Sequence, residues 1–189
     1  MRDMERATVR LYEAIENEEK IVIYADYDCD GIPGAVILND LFKIIGYKNY
    51  EVYIPQRNSE GYGLNLEAIK IFAEKNVKLL ITIDLGITAV EEVAQAEIDG
   101  IDVIITDHHL PRQSLSDGGF AFDLPRAYAI LNPKVDEYPE KMLCGAGVMF
   151  KFVQGFLKKY GGENGQFGAK VGAEKWMLDM AGLATLSDM

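Results

Sequence analysis

Three aspartates at alternate positions, Asp26, Asp28 and Asp30, follow the apolar run Ile21-Val22-Ile23-Tyr24-Ala25 and precede Gly31. In a roughly extended chain, alternate side chains face the same way about 6 to 7 Å apart. Carboxylates so close repel and raise one another's pKa values, and a divalent cation removes that conflict. The stretch therefore reads as half of a metal site. It opens like an EF-hand calcium loop, but Ile37 stands where that loop needs a bidentate Glu, and a strand precedes it instead of a helix. Asp107-His108-His109 supplies the next donors, and these are the only histidines in the chain. Neighbouring strand residues point oppositely, so both imidazoles serve one site only if the chain turns there. One is expected on a metal and the other toward substrate. Asp84, closing the apolar run Leu79 to Ile83, is a candidate bridging ligand. Gly145 and Gly147 either offer backbone N–H groups to an anion or simply let two backbones approach. Cys29 has no evident partner base, so it reads as a small buried residue rather than a nucleophile.

Positioning these groups requires strands that end at one level. Apolar periodicity predicts a helix over about Glu5 to Asn17, and a strand from Ile21. Pro33 fits the first turn of a second helix that runs to Gly46. A strand follows at Tyr50 to Ile54, then a helix capped by Asn65. Lys78 to Ile83 is a third strand, and Thr88 with Glu91 predicts a capping box for a helix to Ile98. Ile101 to Thr106 is a fourth strand. A loop rich in Gly, Asp and Pro leads to a fifth, Ala127 to Leu131. A helix over Ala146 to Tyr160 stops at Gly161-Gly162. Glu163 to Lys170 reads as a connector and Val171 to Leu186 as a last helix. Alternating strands and helices imply an α/β fold, a mainly parallel five-stranded sheet flanked by helices on both faces. Ligands of such sheets gather beyond the carboxyl ends of the strands. Asp26, Asp84 and Asp107 all stand there, so their segments should meet in one crevice.

Composition narrows the classes. With 189 residues, 49 % apolar and 10 % aromatic, the chain suits one globular domain. No apolar run approaches the roughly 20 residues that span a bilayer. The charged N-terminus lacks a signal-peptide core, and two cysteines make no disulfide framework, so a cytoplasmic location is expected. A formal charge of −11 argues against a strongly basic nucleic-acid-binding domain. Bound metal ions would neutralise part of it.

The ordered segments DYDCDG (26–31), TIDLGI (82–87), TDHHLP (106–111) and LCGAGV (143–148) resemble the successive motifs of the DHH phosphoesterase superfamily. IPQRNSEGYGL (54–64) and LDMAGLATLSDM (178–189) are similar to segments of its RecJ branch, the single-strand exonucleases. The resemblance implies a two-metal phosphodiester hydrolase using manganese or magnesium, with 5′-to-3′ action on single-stranded DNA in repair or recombination. It places metal ligands at Asp28, Asp30, Asp84, His108 and Asp188, and includes Asp26 in the first motif. Asp84 matches the position that bridges both ions. His109 matches one facing substrate phosphate, Arg57 is a phosphate contact, and Gly145 to Gly147 line the nearby helix start. By donor chemistry alone Asp188 would pass for a frayed-end charge. Hard carboxylates with one imidazole suit these ions better than zinc. Two such ions can activate a water, so no side-chain nucleophile is required.

The chain departs from the family pattern at Cys29, where a small apolar residue is common, and at Leu85, where an asparagine often follows the aspartate. The resemblance also implies a glycine-rich substrate-binding domain and an oligonucleotide-binding fold, neither of which this sequence contains. The expectation is therefore a catalytic domain, 1–189, separated from a longer protein, that binds metal but degrades long strands weakly. Repair-protein partners would use the missing domains. Two rivals remain: a phosphodiesterase for short oligonucleotides or a small nucleotide, and a non-catalytic replication-associated scaffold.

Overall fold

The computed structural model describes residues 1–116, 119–162 and 165–188. After helix α1 (Met4–Glu16), strand β1 (Lys20–Ala25) leads into α2 (Gly31–Ile45), then β2 (Tyr50–Tyr53), α3 (Leu66–Glu74) and β3 (Val77–Ile83). Next come α4 (Val90–Ile98), β4 (Asp102–Thr106), a hairpin of β5 (Arg112–Ser116) and β6 (Gly119–Asp123), and β7 (Ala129–Leu131). Helix α5 (Gly145–Tyr160), a 3₁₀ turn (Ala173–Met177) and α6 (Leu178–Ser187) complete the chain. Five strands form a wholly parallel sheet in the order β2-β1-β3-β4-β7, and β5 with β6 forms a separate antiparallel pair.

Apart from Lys20, Lys78 and Asp102 near their starts and the buried Thr82 and Thr106, the central strands are apolar, because each face of the sheet is covered. In β1, Ile21, Ile23 and Ala25 join the core beneath α1, α2 and α5, whereas Val22 and Tyr24 join the one beneath α3 and α4. Strand β3 divides the same way, with Leu79, Ile81 and Ile83 on one side and Leu80 on the other. From β1 the chain crosses to β2 on one flank and then returns to β3 on the other. The strand order therefore reverses between β1 and β3, the place where parallel sheets open a crevice. Helices α2 and α5 approach closely beside it. A Cβ on Gly34 would stand 2.5 Å from Ile83 Cγ2 and 3.4 Å from Ala146 Cα.

Local chemistry explains most boundaries. Asn65 accepts the Ala68 amide at 2.7 Å and caps α3, as its type predicts. Gly46 ends α2 in the left-handed conformation at φ 75°. The capping box expected at Thr88 and Glu91 does not form: α4 begins at Val90, Ala89 is its N-cap, and no side chain caps it. A long-range contact and a tight turn shape that loop instead: Ile87 gives its amide to Asp107, and the Ala89 amide turns back to Gly86. The loop expected between β4 and β7 contains the β5–β6 hairpin, of which Asp117 and Gly118 lie outside the described residues. Glu163 and Asn164 of the expected connector also lie outside the described residues. The last helix starts later than Val171, because Gly172 at φ 80° breaks the chain before the 3₁₀ turn. Among the described residues no helix is long and apolar enough to cross a membrane.

Candidate metal centre

Register brings the acidic groups to one level. Ala25 pairs with Ile83, and Ile83 with Thr106, so Asp26, Asp84 and Asp107 are each the next residue beyond an aligned row. Each also adds one rung to the ladder: Asp26 N donates to Ile83 O (3.2 Å), Asp84 N to Thr106 O (2.9 Å) and Asp107 N to Leu131 O (3.1 Å). Beyond this rung the three segments diverge, and each turn is made by a carboxylate or a glycine.

After β1, Asp28 Oδ1 accepts the amides of Asp30 and Gly31, both at 2.9 Å, folding the strand end into α2. A side chain at Gly31 would collide with the Asp26 carbonyl. Asp26 is buried, and burial first, then the charge of Asp28, raises its pKa. Asp30 is buried against α5, where its two oxygens accept the amides of Gly145 (2.5 Å) and Ala146 (2.7 Å). A carboxylate at a helix N-terminus satisfies orphan donors and suits the dipole. This contact corrects one sequence reading. The Gly145 amide is taken by Asp30 and the Gly147 amide by Cys144 Sγ (3.4 Å), so neither is free for a substrate phosphate. Gly145 serves close approach instead, since a Cβ there would sit 2.6 Å from both Asp84 Cβ and Asp84 Oδ1.

Asp84 is the most constrained of the group. It adopts φ 62°, left-handed for a non-glycine residue, and is 1 % exposed. Its Oδ1 is the one buried side-chain oxygen or nitrogen without a hydrogen-bond partner among the described residues. Burial, then the charges of Asp30 and Asp28, pushes its pKa up to about 9. His108 Nε2 lies 3.2 Å from Asp84 Oδ1 and 3.6 Å from Asp30 Oδ2, while its Nδ1 is 3.6 Å from Asp188 Oδ2. Asp188 is therefore more than a frayed-end charge. It caps the C-terminus of α6, and the neighbouring Ser187 hydroxyl donates to the Cys29 carbonyl at 3.2 Å. Cys29, expected to be buried, is instead exposed, because it lies in the turn after β1 and meets α6 only through its backbone carbonyl.

Three groupings have donor atoms within 4.8 Å of one another: Asp26, Asp28 and Asp84; Asp30, His108 and Asp188; and Asp84, His108 and His109. Their chemistry fits hard divalent cations, being mostly carboxylate with imidazole and no thiolate. The orphaned Asp84 Oδ1, buried among like charges, is the strongest sign, because an uncompensated oxygen there is costly without a cation.

Comparison with known proteins agrees with this chemistry. The model of the DHH family, N-terminal domain, matches residues 20–185. This chain belongs to the DHH family. Its relatives include the single-stranded-DNA-specific exonuclease RecJ of Bacillus subtilis (strain 168), 38 % identical across 100 % of this chain and 21 % of that protein. The crystal structure of exonuclease RecJ bound to manganese superposes with a TM-score of 0.80 at 26 % identity, covering 98 % of this chain and 43 % of that one. RecJ from Thermus thermophilus in complex with Mn2+ gives 0.76 at 25 % identity, covering 100 % of this chain and 24 % of that one. The chain spans 21–31 % of the length of the first curated relatives it matches.

Within the DHH domain, sequence reasoning located the donors but missed their supports. Arg57 lies in the exposed β2–α3 loop, its guanidinium carbon 5.3 Å from the centre of the Tyr27 ring and near enough to favour ionised Asp26. That loop is braced by Tyr24, whose hydroxyl donates to Gly63 O at 3.0 Å and accepts from Asn65. It also carries Tyr62, edge-on to His109 with ring centres 6.2 Å apart. Tyr62 and His109 line a cleft of about 480 Å³ with Thr88, Glu92 and Arg112. A larger hollow of about 700 Å³, beside Lys151 and Lys158, contains no histidine and lies away from these donors. Asn132, fully buried, holds the His109 carbonyl at 2.9 Å. A lone Asn or Tyr in a loop carries no sequence signal for such work.

Proposed function

We propose that this domain is the metal-dependent phosphodiester hydrolase of a RecJ-like, single-strand-specific 5′-to-3′ exonuclease acting in DNA repair or recombination. The observation that carries the reading is the meeting of Asp26, Asp28, Asp30, Asp84, His108 and Asp188 around a buried carboxylate oxygen that accepts no hydrogen bond. Similarity to RecJ along the whole chain supports the substrate class, and the manganese-bound RecJ structure supports the ion.

In this reading Asp26, Asp28 and Asp84 would hold one manganese or magnesium ion, and Asp30, His108 and Asp188, beside Asp84, would hold a second. Ions of this kind, when bound, acidify water toward neutral pH and offset charge developing on phosphoryl oxygens. The chain's own residues then supply placement. Asp30 ties the site to α5, and Asp28 sets the turn into α2, so both carboxylates are held before any ion arrives. His109 faces the substrate phosphate from the side opposite Asp107, and Arg57 reaches it from the β2–α3 loop. Cys29 is not required as a nucleophile.

The test is a manganese titration by calorimetry, followed by nucleotide release from 5′-labelled single strands, blunt duplex and a dinucleotide. Manganese binding with hydrolysis of single strands from the 5′ end is expected. Hydrolysis of the dinucleotide alone would move the substrate to short oligonucleotides. No manganese binding and no hydrolysis of any substrate would overturn the enzyme reading in favour of a scaffold.

A further inference from the structure

Asp107 is 1 % exposed and holds no place in the proposed metal coordination, yet it has the fullest hydrogen-bonding of any acidic group in the cleft. Its Oδ2 accepts the Ile87 amide at 2.9 Å. Its Oδ1 accepts the amides of His108 (2.7 Å) and His109 (3.0 Å) and faces His109 Nδ1 at 2.8 Å. Three of these four donors converge on Oδ1 and one takes Oδ2, so the oxygen nearer the histidines is fully engaged by the chain itself. The two amide contacts curl the chain directly after β4. Adjacent strand residues would otherwise point to opposite faces. Here the two imidazoles share one cleft, with ring centres 4.6 Å apart.

We propose that Asp107 is a positioning residue: it folds both histidines into one cleft and holds His109 with the proton on Nδ1, so that Nε2 is the atom offered to substrate. The role at substrate rests on the hydrolase reading above, whereas the tautomer does not. Oδ1 already accepts two backbone amides, so it can only accept from the nitrogen 2.8 Å away, and that nitrogen must donate. His109 Nδ1 also lies 3.9 Å from Asp84 Oδ1, and by distance alone it could pass for a metal ligand. A nitrogen that carries a proton cannot coordinate, so the grouping of Asp84, His108 and His109 could take an ion through His109 only at Nε2. Asn132 completes the support by fixing the His109 backbone from β7's side of the sheet. The Asp that directly precedes the histidine pair thus acts through His109, and not on the ions.

With only two histidines, the chain permits a direct test. Nitrogen-15 NMR of the histidine-labelled, metal-free protein at alkaline pH, assigned with His108→Ala, reads the tautomer of each ring. Wild-type His109 should show a protonated Nδ1 and a bare Nε2, and Asp107→Asn should lose that preference. A wild-type His109 protonated at Nε2 overturns the proposal whether or not the variant folds, and whether or not the domain cleaves DNA. As a second measurement, Asp107→Asn should lower kcat about 100-fold with KM little changed. Asp107→Asn should weaken manganese binding less than His108→Ala, which removes a ligand outright. Equal losses of manganese affinity in both variants would make Asp107 part of the metal site and refute the assignment.

Discussion

Replacing Asp84 with asparagine should stabilise the metal-free protein while removing its response to manganese. The carboxyl group is buried, lacks a donor to Oδ1 and stands among Asp28 and Asp30, and its pKa is pushed up to about 9 from an ordinary value of 3.8. Between those values the folded state keeps a proton that the unfolded state has released, so stability falls as pH rises through this window. Below it the group costs nothing, and above about pH 9 the full penalty is reached. At about pH 7 the linkage sets a ceiling of about 4 kcal/mol. Asparagine keeps the shape, tolerates the left-handed backbone and never ionises, so it should recover about 1 to 4 kcal/mol of this. Urea unfolding in EDTA, at about pH 5 and about pH 8, measures the gain, which should be larger at the higher pH. Saturating manganese, at about 100 times its Kd, should stabilise wild type by about 2.7 kcal/mol and the variant far less. An Asp84→Asn protein less stable than wild type in EDTA at the higher pH, or equally stabilised by manganese, would refute the reasoning.

Gly145→Ala should lose about 1 to 3 kcal/mol by crowding Asp84, and at least tenfold in manganese affinity by calorimetry. Unchanged affinity would show that the carboxylate has room to move. Asp30→Asn turns an amide NH₂ toward the α5 amides and should cost about 1 to 2 kcal/mol in EDTA, seen as a lowered thermal midpoint. Arg10→Ala breaks a distant cluster with Glu19 and Asp102 and should cost about 2 kcal/mol, since both partners reach solvent. Its manganese affinity should match wild type, and a loss there would mean that the site responds to global destabilisation.

The strand ends were legible because buried parallel strands are continuous apolar runs, and any charge that follows must sit at their carboxyl edge. Asn65, Gly46 and Pro33 were legible for a similar reason, since a single residue sets the local backbone in each case. Thr88 and Glu91 misled because a capping box is local, whereas the β3–α4 loop is shaped by an amide that Asp107, 20 residues away, takes from Ile87. Gly145 and Gly147 misled likewise. A glycine-rich helix start signals open amides, but Gly145 gives its amide to a carboxylate 115 residues earlier in the chain and Gly147 gives its amide to the adjacent Cys144 Sγ.

The sequence by itself determined the donor set, the alternation of strands with helices and the family, because residue type and short-range periodicity carry these. Only the tertiary structure decided how the donors are shared. It spent Asp30 on α5 as well as on the cleft, left Asp84 Oδ1 without a hydrogen-bond partner, and made Asp107 the support of His109. The physical reason is that a carboxylate's role is set by the donors and charges within a few ångströms of its oxygens. Those neighbours come from strands and helices brought together only when the sheet closes.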